Sequence, residues 1–414
     1  MLNFRFPVPQ LAHKIRIYPS QEAEVYLRRS CGIARFAWNW ALHQWRTKYA
    51  AGEKGMSAYG LDKEFNALKG TKFPWTSEVS KWVTQKSIQN VGESFSRFFK
   101  KTSKYPRFKK KGRSRASFYL NVDSFKISGK YLKLPKLAKP IKMAQPLRYD
   151  GDLRSVVISQ DACGDWFASF SVVLPDSYVY PHLCKNQATV GIDVGITTLV
   201  TLSTGEKIEN PRALRSQERK LRRLQRSLSR KQRGSKRREK ARILLARVHR
   251  RVTRIRRDAS HQVTSRLVKA FRVIGIEDLN VKGMMRNHKL AKSISDASFG
   301  EIRRQLEYKA PLAGSNVALG ARFYPSSKRC SDCGHVMEAL PLGVRVWTCP
   351  ACGAGHDRDV NAAKNLNLVA QRYWETLNAR GEDVRPPTEA REGPSRWQSS
   401  MSRECPTTSS QREF

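Results

Sequence analysis

Two groups of residues in this sequence have types and spacings suited to chemistry. The first is Cys330-x2-Cys333-x15-Cys349-x2-Cys352. Each Cys-x2-Cys pair places two thiolates on a tight knuckle, and two knuckles at this separation complete a closed tetrahedral zinc site. With no open coordination position, one Zn²⁺ there holds the fold and performs no catalysis. A redox pair is the alternative for either Cys-x2-Cys alone, and the presence of two at this spacing argues against it. His335 and His356 lie nearby in sequence, but four cysteines suffice.

The second group is a set of three carboxylates. Asp193 stands mid-strand in VGIDVGI, among apolar neighbours, where a charge is costly unless it is paired or binds a cation. Glu277 ends a second apolar strand, IGIEDL, and Asp359 opens the helix that follows HDR. Singly, each also has a structural reading: Asp359 as a first-turn acid favoured by the helix dipole, Glu277 or Asp278 as a strand-end contact. Asp193 is the hardest to explain that way. Together, three acids converging over one sheet would hold two Mg²⁺ ions, which activate water and stabilise the leaving oxygen in phosphodiester hydrolysis. From spacing alone, the nuclease reading and the structural one weigh about equally.

The elements that must position these groups follow from periodicity. AHKIRIYPS (12–20) alternates as a strand and ends in a turn before a helix start. Val25, Cys31, Ile33, Phe36, Ala37, Trp40 and Trp45 recur at helical spacing, and a second helix is expected over 77–101, so residues 20–102 form a helical bundle. The basic run 100–115, with Tyr105 and Phe108 interleaved, suits phosphate and base contact as well as a solvated loop. SFYLNV, FKIS, YLKLP, LRSVVIS and DWFASFSVVLP then predict an antiparallel sheet or small barrel that the first strand joins.

From Ala188 a new unit opens with a strand and hairpin. Residues 212–257 carry 21 Lys and Arg against Glu218 and Glu239, a long cationic surface expected as a helical hairpin turning at Gly234. Its second helix, marked by Leu244, Val248, Val252 and Ile255, is expected to continue past Phe271. A strand in 271–279, a helix across 299–310 shortened by Pro311, and a strand over 321–325 complete the unit. This order, strand–hairpin–helices–strand–helix–strand–helix, fits a ribonuclease H architecture. From about Ala379 the chain turns rich in Pro, Ser, Glu and Arg and reads as disordered.

A net charge of +43 over 414 residues makes a polyanion, and so nucleic acid, the expected partner. No secretory signal opens the chain and no apolar run approaches a membrane span, so no membrane is expected among its partners. Cys31, Cys163, Cys184 and Cys405 are scattered, a reduced pattern with no disulfide framework.

GIDVG, IGIEDL and CSDCG…WTCPACGAGHDRDVNAAKN resemble the TnpB family of transposon-encoded RNA-guided nucleases, relatives of the compact type V CRISPR effectors. SEVSKWVTQKSIQN, YPRFKKK, YLKLPKL, SISDASFGEIRRQLEYKA, FYPSSKRCSDCG and TLNARGEDVRP extend the likeness along nearly the whole chain. The resemblance implies a multidomain α/β protein. A wedge-like antiparallel β-barrel domain (1–19 and 103–186) carries a helical recognition insertion (20–102). A RuvC-like domain of ribonuclease H fold (187–325 and 354–375) carries an inserted zinc ribbon (326–353), and 376–414 form a disordered tail.

The family's acidic triad falls on Asp193, Glu277 and Asp359, the Mg²⁺ ligands, with Arg358 and Asn361 in support. A guide RNA from the transposon end pairs with double-stranded target DNA, while the protein reads a short adjacent motif. Lys81, Trp82 and Gln85, with Asn121 to Ser124, match the segments associated with that reading; a solvated helix surface is an equal alternative for them. The implied protein is a monomer in a prokaryotic cytoplasm, associated with the nucleoid. Other readings stay open: a catalytically silent RNA-guided DNA-binding repressor, which loss of one acid would favour, or a cut-and-rejoin transposase. The latter would need an end-binding module, and no clear helix-turn-helix is legible.

Overall fold

The alternation at the start of the chain becomes β1 (Gln10–Tyr18), which buries His13, Ile15 and Ile17 on one face. The computed structural model describes residues 10–53, 55–175, 184 and 186–379. Ser20 caps α1 (Gln21–Ala50), its hydroxyl accepting the Ala23 N–H at 3.2 Å. Along α1 a stripe recurring every three or four residues is buried. Its first half (Leu27, Cys31, Ala34) packs on a sheet; its second (Trp38, Leu42, Trp45) packs on α2 (Ala58–Lys69) and α3 (Lys81–Phe99). Val25, which shares the expected helical spacing, instead points outward at 53 % exposure.

The sheet under α1 contains β2 (Ser117–Asn121), β3 (Lys126–Ser128), β4 (Tyr131–Lys133), β5 (Ile141–Met143), β6 (Asp152–Gln160) and β7 (Trp166–Val173) together with β1. Its order, β2-β6-β7-β1-β5-β4-β3, is antiparallel at every pairing and leaves β2 and β3 as edges. Among the described strands it is therefore a curled half-barrel rather than a closed barrel. β1 sits inside it, so the helices α1 to α3 leave the sheet after one strand and return before the next.

A second, five-stranded sheet follows. The meander β8 (Thr189–Val194), β9 (Thr198–Leu202) and β10 (Lys207–Glu209) leads into the helical hairpin α4 (Ala213–Ser229) and α5 (Lys236–Ala270). The chain returns as β11 (Val273–Ile276), passes through α6 (Val281–Met284), α7 (Ala291–Ala297) and α8 (Phe299–Leu312), and enters β12 (Asn316–Leu319). β11 lies parallel to both β8 and β12, giving the order β10-β9-β8-β11-β12. Val190, Ile192, Ile274 and Ile276 form its core with Leu267 and Leu306 of α5 and α8. The molecule is thus mixed α/β.

Three expected boundaries in this unit move, the first being α8, which runs through Pro311 to Leu312 instead of being cut short by it. α5 stops at Ala270 instead of continuing past Phe271, because the Arg272 N–H is drawn into the sheet by the Ala188 carbonyl at 2.8 Å. The strand expected at 321–325 lies instead at Asn316–Leu319, where four residues register against β11. Residues 321–325 form a turn fixed by the Arg322–Asp278 ion pair at 2.9 Å, and its Phe323 is 92 % exposed.

The chain then forms the cysteine knuckles and a small hairpin of β13 (Val346–Thr348) and β14 (Gly355–Asp357) before α9 (Arg358–Ala379). β14 pairs with β13, so the strand just past residue 354 belongs with the knuckles. α9 runs beyond the boundary expected at 375. The remainder of the expected tail, 380–414, and residues 1–9 lie outside the described residues. Among the described residues, no helix is long and apolar enough to cross a membrane.

Candidate active site

β8 and β11 run parallel with Gly191 opposite Gly275. Two residues further on come Asp193 and Glu277, in the matching triplets GID and GIE. Side chains alternate along a strand, so both acids project from the face that bears the two glycines. Neighbouring strands are about 4.8 Å apart, which sets the two carboxylates side by side at the ends of β8 and β11.

That face is covered by α9. A Cβ on Gly191 would lie 2.0 Å from the Ala363 carbonyl oxygen, and one on Gly275 would lie 2.1 Å from that of Leu366. The helix therefore rests on bare strand backbone, and only glycine permits the approach. Thr189 donates to the Asn367 side chain at 2.9 Å while Gly191 meets Ala363, so α9 runs antiparallel to β8. One further turn toward the helix N-terminus is a rise of about 6 Å. Two further residues along the strand cover about 6.6 Å. Asp359 thus arrives over Asp193. Register and glycine packing bring the three acids together.

Their electrostatics follow from this convergence. Burial pushes the Asp193 carboxyl up to about 8, and the negative charges of Glu277 and Asp359 push the same way against Arg358 and Arg345. The Ser326 hydroxyl donates to Glu277 Oε1. Arg345 donates to Asp359 Oδ1 at 3.2 Å. Asp357 caps α9 by accepting the N–H groups of Asp359 and Val360 at 3.1 and 3.0 Å, and Lys207 pairs with its other oxygen at 2.7 Å. A carboxylate that is driven toward its neutral form by burial, and further by two like charges, is a place that a cation would stabilise. The donor set, all carboxylate oxygen, suits hard Mg²⁺.

The four cysteines make a separate cluster. Their sulfurs all lie within 4.8 Å of one another, with Cys330–Cys352 at 3.7 Å and Cys333–Cys349 at 3.6 Å. A tetrahedron with Zn–S bonds of about 2.3 Å has edges near 3.8 Å, so the sulfurs already stand at zinc-ligand separations. The two knuckles are built alike. Gly334 and Gly353, at φ 83° and 74°, follow the second cysteine of each and return their N–H groups to the Cys330 and Cys349 carbonyls at 3.0 and 2.9 Å. Burial raises the Cys349 thiol, but hydrogen bonds from the Cys352 and Ala351 amides outweigh it and bring the thiol to about 7. His356 lies 3.0 Å from Cys330 Sγ through Nε2, and its ring packs tilted against Trp347 at 4.7 Å between centroids, bracing the cluster from outside.

The residues expected to support the acids are hydrogen-bonded to the knuckles, and the Arg358 charge also bears on the carboxylates by favouring ionised Asp193. Asn361 is almost fully buried; its amide donates to the Arg329 carbonyl at 2.8 Å and its oxygen accepts the Ser331 N–H at 2.9 Å. Arg358 donates to the Pro341 carbonyl at 2.6 Å. The first two turns of α9 are therefore bonded to both segments flanking the cysteines. Among the described residues, no carboxylate group is gathered as tightly as the four sulfurs. A pair of metal ions about 4 Å apart needs its ligands spread over a wider span.

The expected motif-reading residues also come together, on α3 and on the turn after β2. Trp82 Nε1 donates to Asp123 at 3.1 Å, Lys81 sits 5.6 Å above the Trp82 ring, and Ser124 donates to the Asn121 carbonyl at 2.9 Å. Lys81 is exposed; Gln85, Asn121 and Ser124 are half-buried beside it. Sequence reasoning passed over Gly191, Gly275, Ser326, Arg345 and Asn365, whose amide donates to the Ser326 and Arg329 carbonyls at 2.8 and 2.6 Å. The repeated Gly-Ile-acid triplet was a legible signal for the glycines. The others had none, because only folding brings Ser326 and Arg345 to the acids and Asn365 to the segment before Cys330.

Three family models match the chain. One described as "Probable transposase" covers 169–288, one described as "Cas12f1-like, TNB domain" covers 299–366, and one described as "Helix-turn-helix domain" covers 10–54. In the structure the described part of 10–54 is β1 followed by the single uninterrupted helix α1, which is not a helix-turn-helix. A "Putative RNA-guided DNA endonuclease" of Streptomyces pristinaespiralis is 40 % identical over 92 % of this chain and 93 % of its own length. A relative of Escherichia coli K12 with the same description, InsQ, is 31 % identical over 86 % of this chain and 91 % of its own length. Among solved structures, one titled "Cryo-EM structure of the Cas12f1-sgRNA-target DNA complex" shares the fold. It has a TM-score of 0.52 at 14 % identity and covers 84 % of this chain and 83 % of that one. With a likeness that runs through the sheet, the knuckles and the acid-bearing helix alike, the chain belongs to the TnpB (OrfB/IS605) family.

Proposed function

We propose that the protein is an RNA-guided DNA endonuclease that cuts by two-metal phosphodiester hydrolysis. The observation that carries this reading is the placement of Asp193 and Glu277 side by side on parallel strands, with Asp359 delivered above them by α9. The order β10-β9-β8-β11-β12, antiparallel on one side of β8 and parallel on the other, supports a RuvC-like ribonuclease H fold for residues 187–325 and 358–379. Residues 326–357 are its zinc ribbon, 20–102 the recognition insertion and 103–175, with the first strand, the wedge-like domain. The names of the relatives above support the guide RNA and target DNA as partners, and the charge of +43 supplies the affinity for both.

Asp193, Glu277 and Asp359 would hold two Mg²⁺ ions, which supply activation of the attacking water and stabilisation of the leaving oxygen. The chain's own residues set up that chemistry. Glu277 is oriented by Ser326, Asp359 is oriented by Arg345, and the α9 N-terminus is fixed by the Asp357 cap. One such site cuts two strands in turn, so either the DNA or the domains move between cuts. Zinc on Cys330, Cys333, Cys349 and Cys352 locks the loop that delivers Asp359. Lys81, Trp82 and Gln85, with Asn121 and Ser124, read the motif beside the target. The protein acts as a monomer in the prokaryotic cytoplasm, at the nucleoid.

The test is to purify the protein from cells carrying its native flanking DNA and to sequence the RNA that co-purifies. The complex is then given Mg²⁺ and a guide-matched plasmid with randomised flanks, beside an Asp193→Ala control. Guide-dependent cutting that the control lacks supports the proposal and reads out the adjacent motif. Bound RNA and target without cutting would replace it with a silent binder.

A further inference from the structure

A second binding site lies on the connection between α3 and β2, away from the three acids. Residues 105–114 and the adjacent face of α1 enclose a groove of about 710 Å³ lined by Arg46, Tyr105, Arg107, Phe108, Lys110 and Arg113. Among the described residues none of its cations makes an ion pair, although two residues along α1 Lys48 is bound by Glu64 and many arginines elsewhere are paired. Two aromatic rings stay open to solvent beside these charges, Tyr105 at 44 % and Phe108 at 41 % exposure.

The groove is built, not draped. Asn39 completes both backbone bonds of Lys109, accepting its N–H at 2.8 Å and donating to its carbonyl at 3.0 Å. Trp38 Nε1 donates to the Arg107 carbonyl at 3.0 Å, and the Lys109 ammonium rests 3.9 Å above the Trp38 ring. The far end closes as a turn through Gly112 at φ 77°, with the Ser114 hydroxyl accepting the Lys110 N–H at 3.0 Å. Tyr105 stands edge-on to Phe95 and Phe98 at 5.5 and 5.2 Å, and the Arg46 guanidinium lies 5.6 Å from the Phe108 ring. A loop this basic would splay by self-repulsion; here its backbone is fixed with the cations facing one space.

We propose that this groove is a binding site for an unpaired segment of the guide RNA, its cations on consecutive phosphates and Phe108 stacked on a base. Unpaired cations around a fixed concavity call for a polyanion. An exposed ring beside them calls for an unstacked base, which duplex DNA does not offer and the loops and ends of a folded RNA do. A cradle already formed in the free chain suits the partner that stays bound through the search for a target. The proposal rests on the RNA-guided reading above.

The test measures binding of the RNA transcribed from the native flanking DNA by fluorescence anisotropy across a salt series. Full-length wild type, Phe108→Ala and the double variant Lys110→Ala/Arg113→Ala are compared, and unchanged unfolding midpoints certify the variants. A DNA strand of the same sequence is a parallel probe. The double variant is expected to lose affinity and to flatten the salt slope by roughly one for each phosphate contact removed. Phe108→Ala is expected to lose about 5- to 150-fold at every salt concentration with the slope unchanged. RNA affinity within twofold of wild type in both variants would overturn the assignment. Loss confined to the DNA probe would overturn RNA as the occupant. No RNA binding by wild type itself would instead remove the RNA-guided reading, and the assignment with it.

Discussion

The cysteine cluster and the carboxylate site stand at two ends of one short connection, and they are assembled in opposite ways. Each cysteine knuckle is a local turn: a pair of cysteines, a glycine with positive φ, and amide groups aimed at sulfur. Four sulfurs end within 4.8 Å of one another because two such turns face each other. The carboxylates come from β8, the end of β11 and the start of α9, and no local turn relates them. They meet because two strands share a register and a helix lies on two glycines. Burial first, and then their mutual repulsion, works against that meeting, and both push the Asp193 carboxyl upward. One site is held by its own backbone, and the other is held by the rest of the fold.

The largest expected effect breaks the carboxylate side alone. Asp193→Ala or Glu277→Gln should lower Mg²⁺-dependent cleavage by about 10³-fold or more, while RNA binding and the bound zinc per chain stay at wild-type levels. Comparable cleavage in either variant would dissolve the proposed site. Next comes the packing that assembles it. Gly191→Ala sets a methyl group against the Ala363 carbonyl and should cost about 2–3 kcal/mol in chemical unfolding, with cleavage falling as α9 lifts. A neutral result would mean that α9 does not rest on β8.

Breaking the other side tests how the two are joined. Asn361, Asn365 and Ser326 link the knuckles to α9 and Glu277, so Cys330→Ser or zinc withdrawal should lower cleavage by about 10- to 100-fold, beyond any fall in Tm. A folded Cys330→Ser protein that cuts at the wild-type rate would show the knuckles to be independent of the site.

The smallest readout is a slope. Asp193 is raised in the folded chain, so between the unfolded carboxylate value of about 4 and the folded value of about 8 the native state holds the extra proton. The stability of the metal-free protein should therefore fall as pH rises through that window and level off above it. The Asp193→Asn variant should lack this component, and parallel pH profiles of Tm for the two proteins would remove the argument.

The cysteine cluster was legible in full, since its ligands and both turn glycines are adjacent in sequence. The acids were legible one at a time, as carboxylates at strand and helix ends. Arg358 and Asn361 were found through their place in the HDRDVN segment; their hydrogen bonds run to the knuckles, while the Arg358 charge bears on Asp193. The strand expected at 321–325 did not form there. An aromatic-rich run carries strand propensity, but the parallel register with β11 is met by the four residues Asn316–Leu319, and the following turn is held by Arg322 on Asp278. Propensity is a property of a segment, while register belongs to two segments at once.

By itself the sequence determined what short-range geometry can encode. It set a strongly cationic chain, two cysteine knuckles, and the periodicities of β1, α1 and α5, along with glycines two residues ahead of two acids. Only the tertiary structure decided which face those glycines and acids share, that α9 lies antiparallel to β8, and that Ser326 and Arg345 reach the carboxylates. The physical reason is range. A knuckle closes through hydrogen bonds a few residues apart, whereas the acid site requires strands, helix and loop from residues 189 to 379 to be packed before any two of its charges come close.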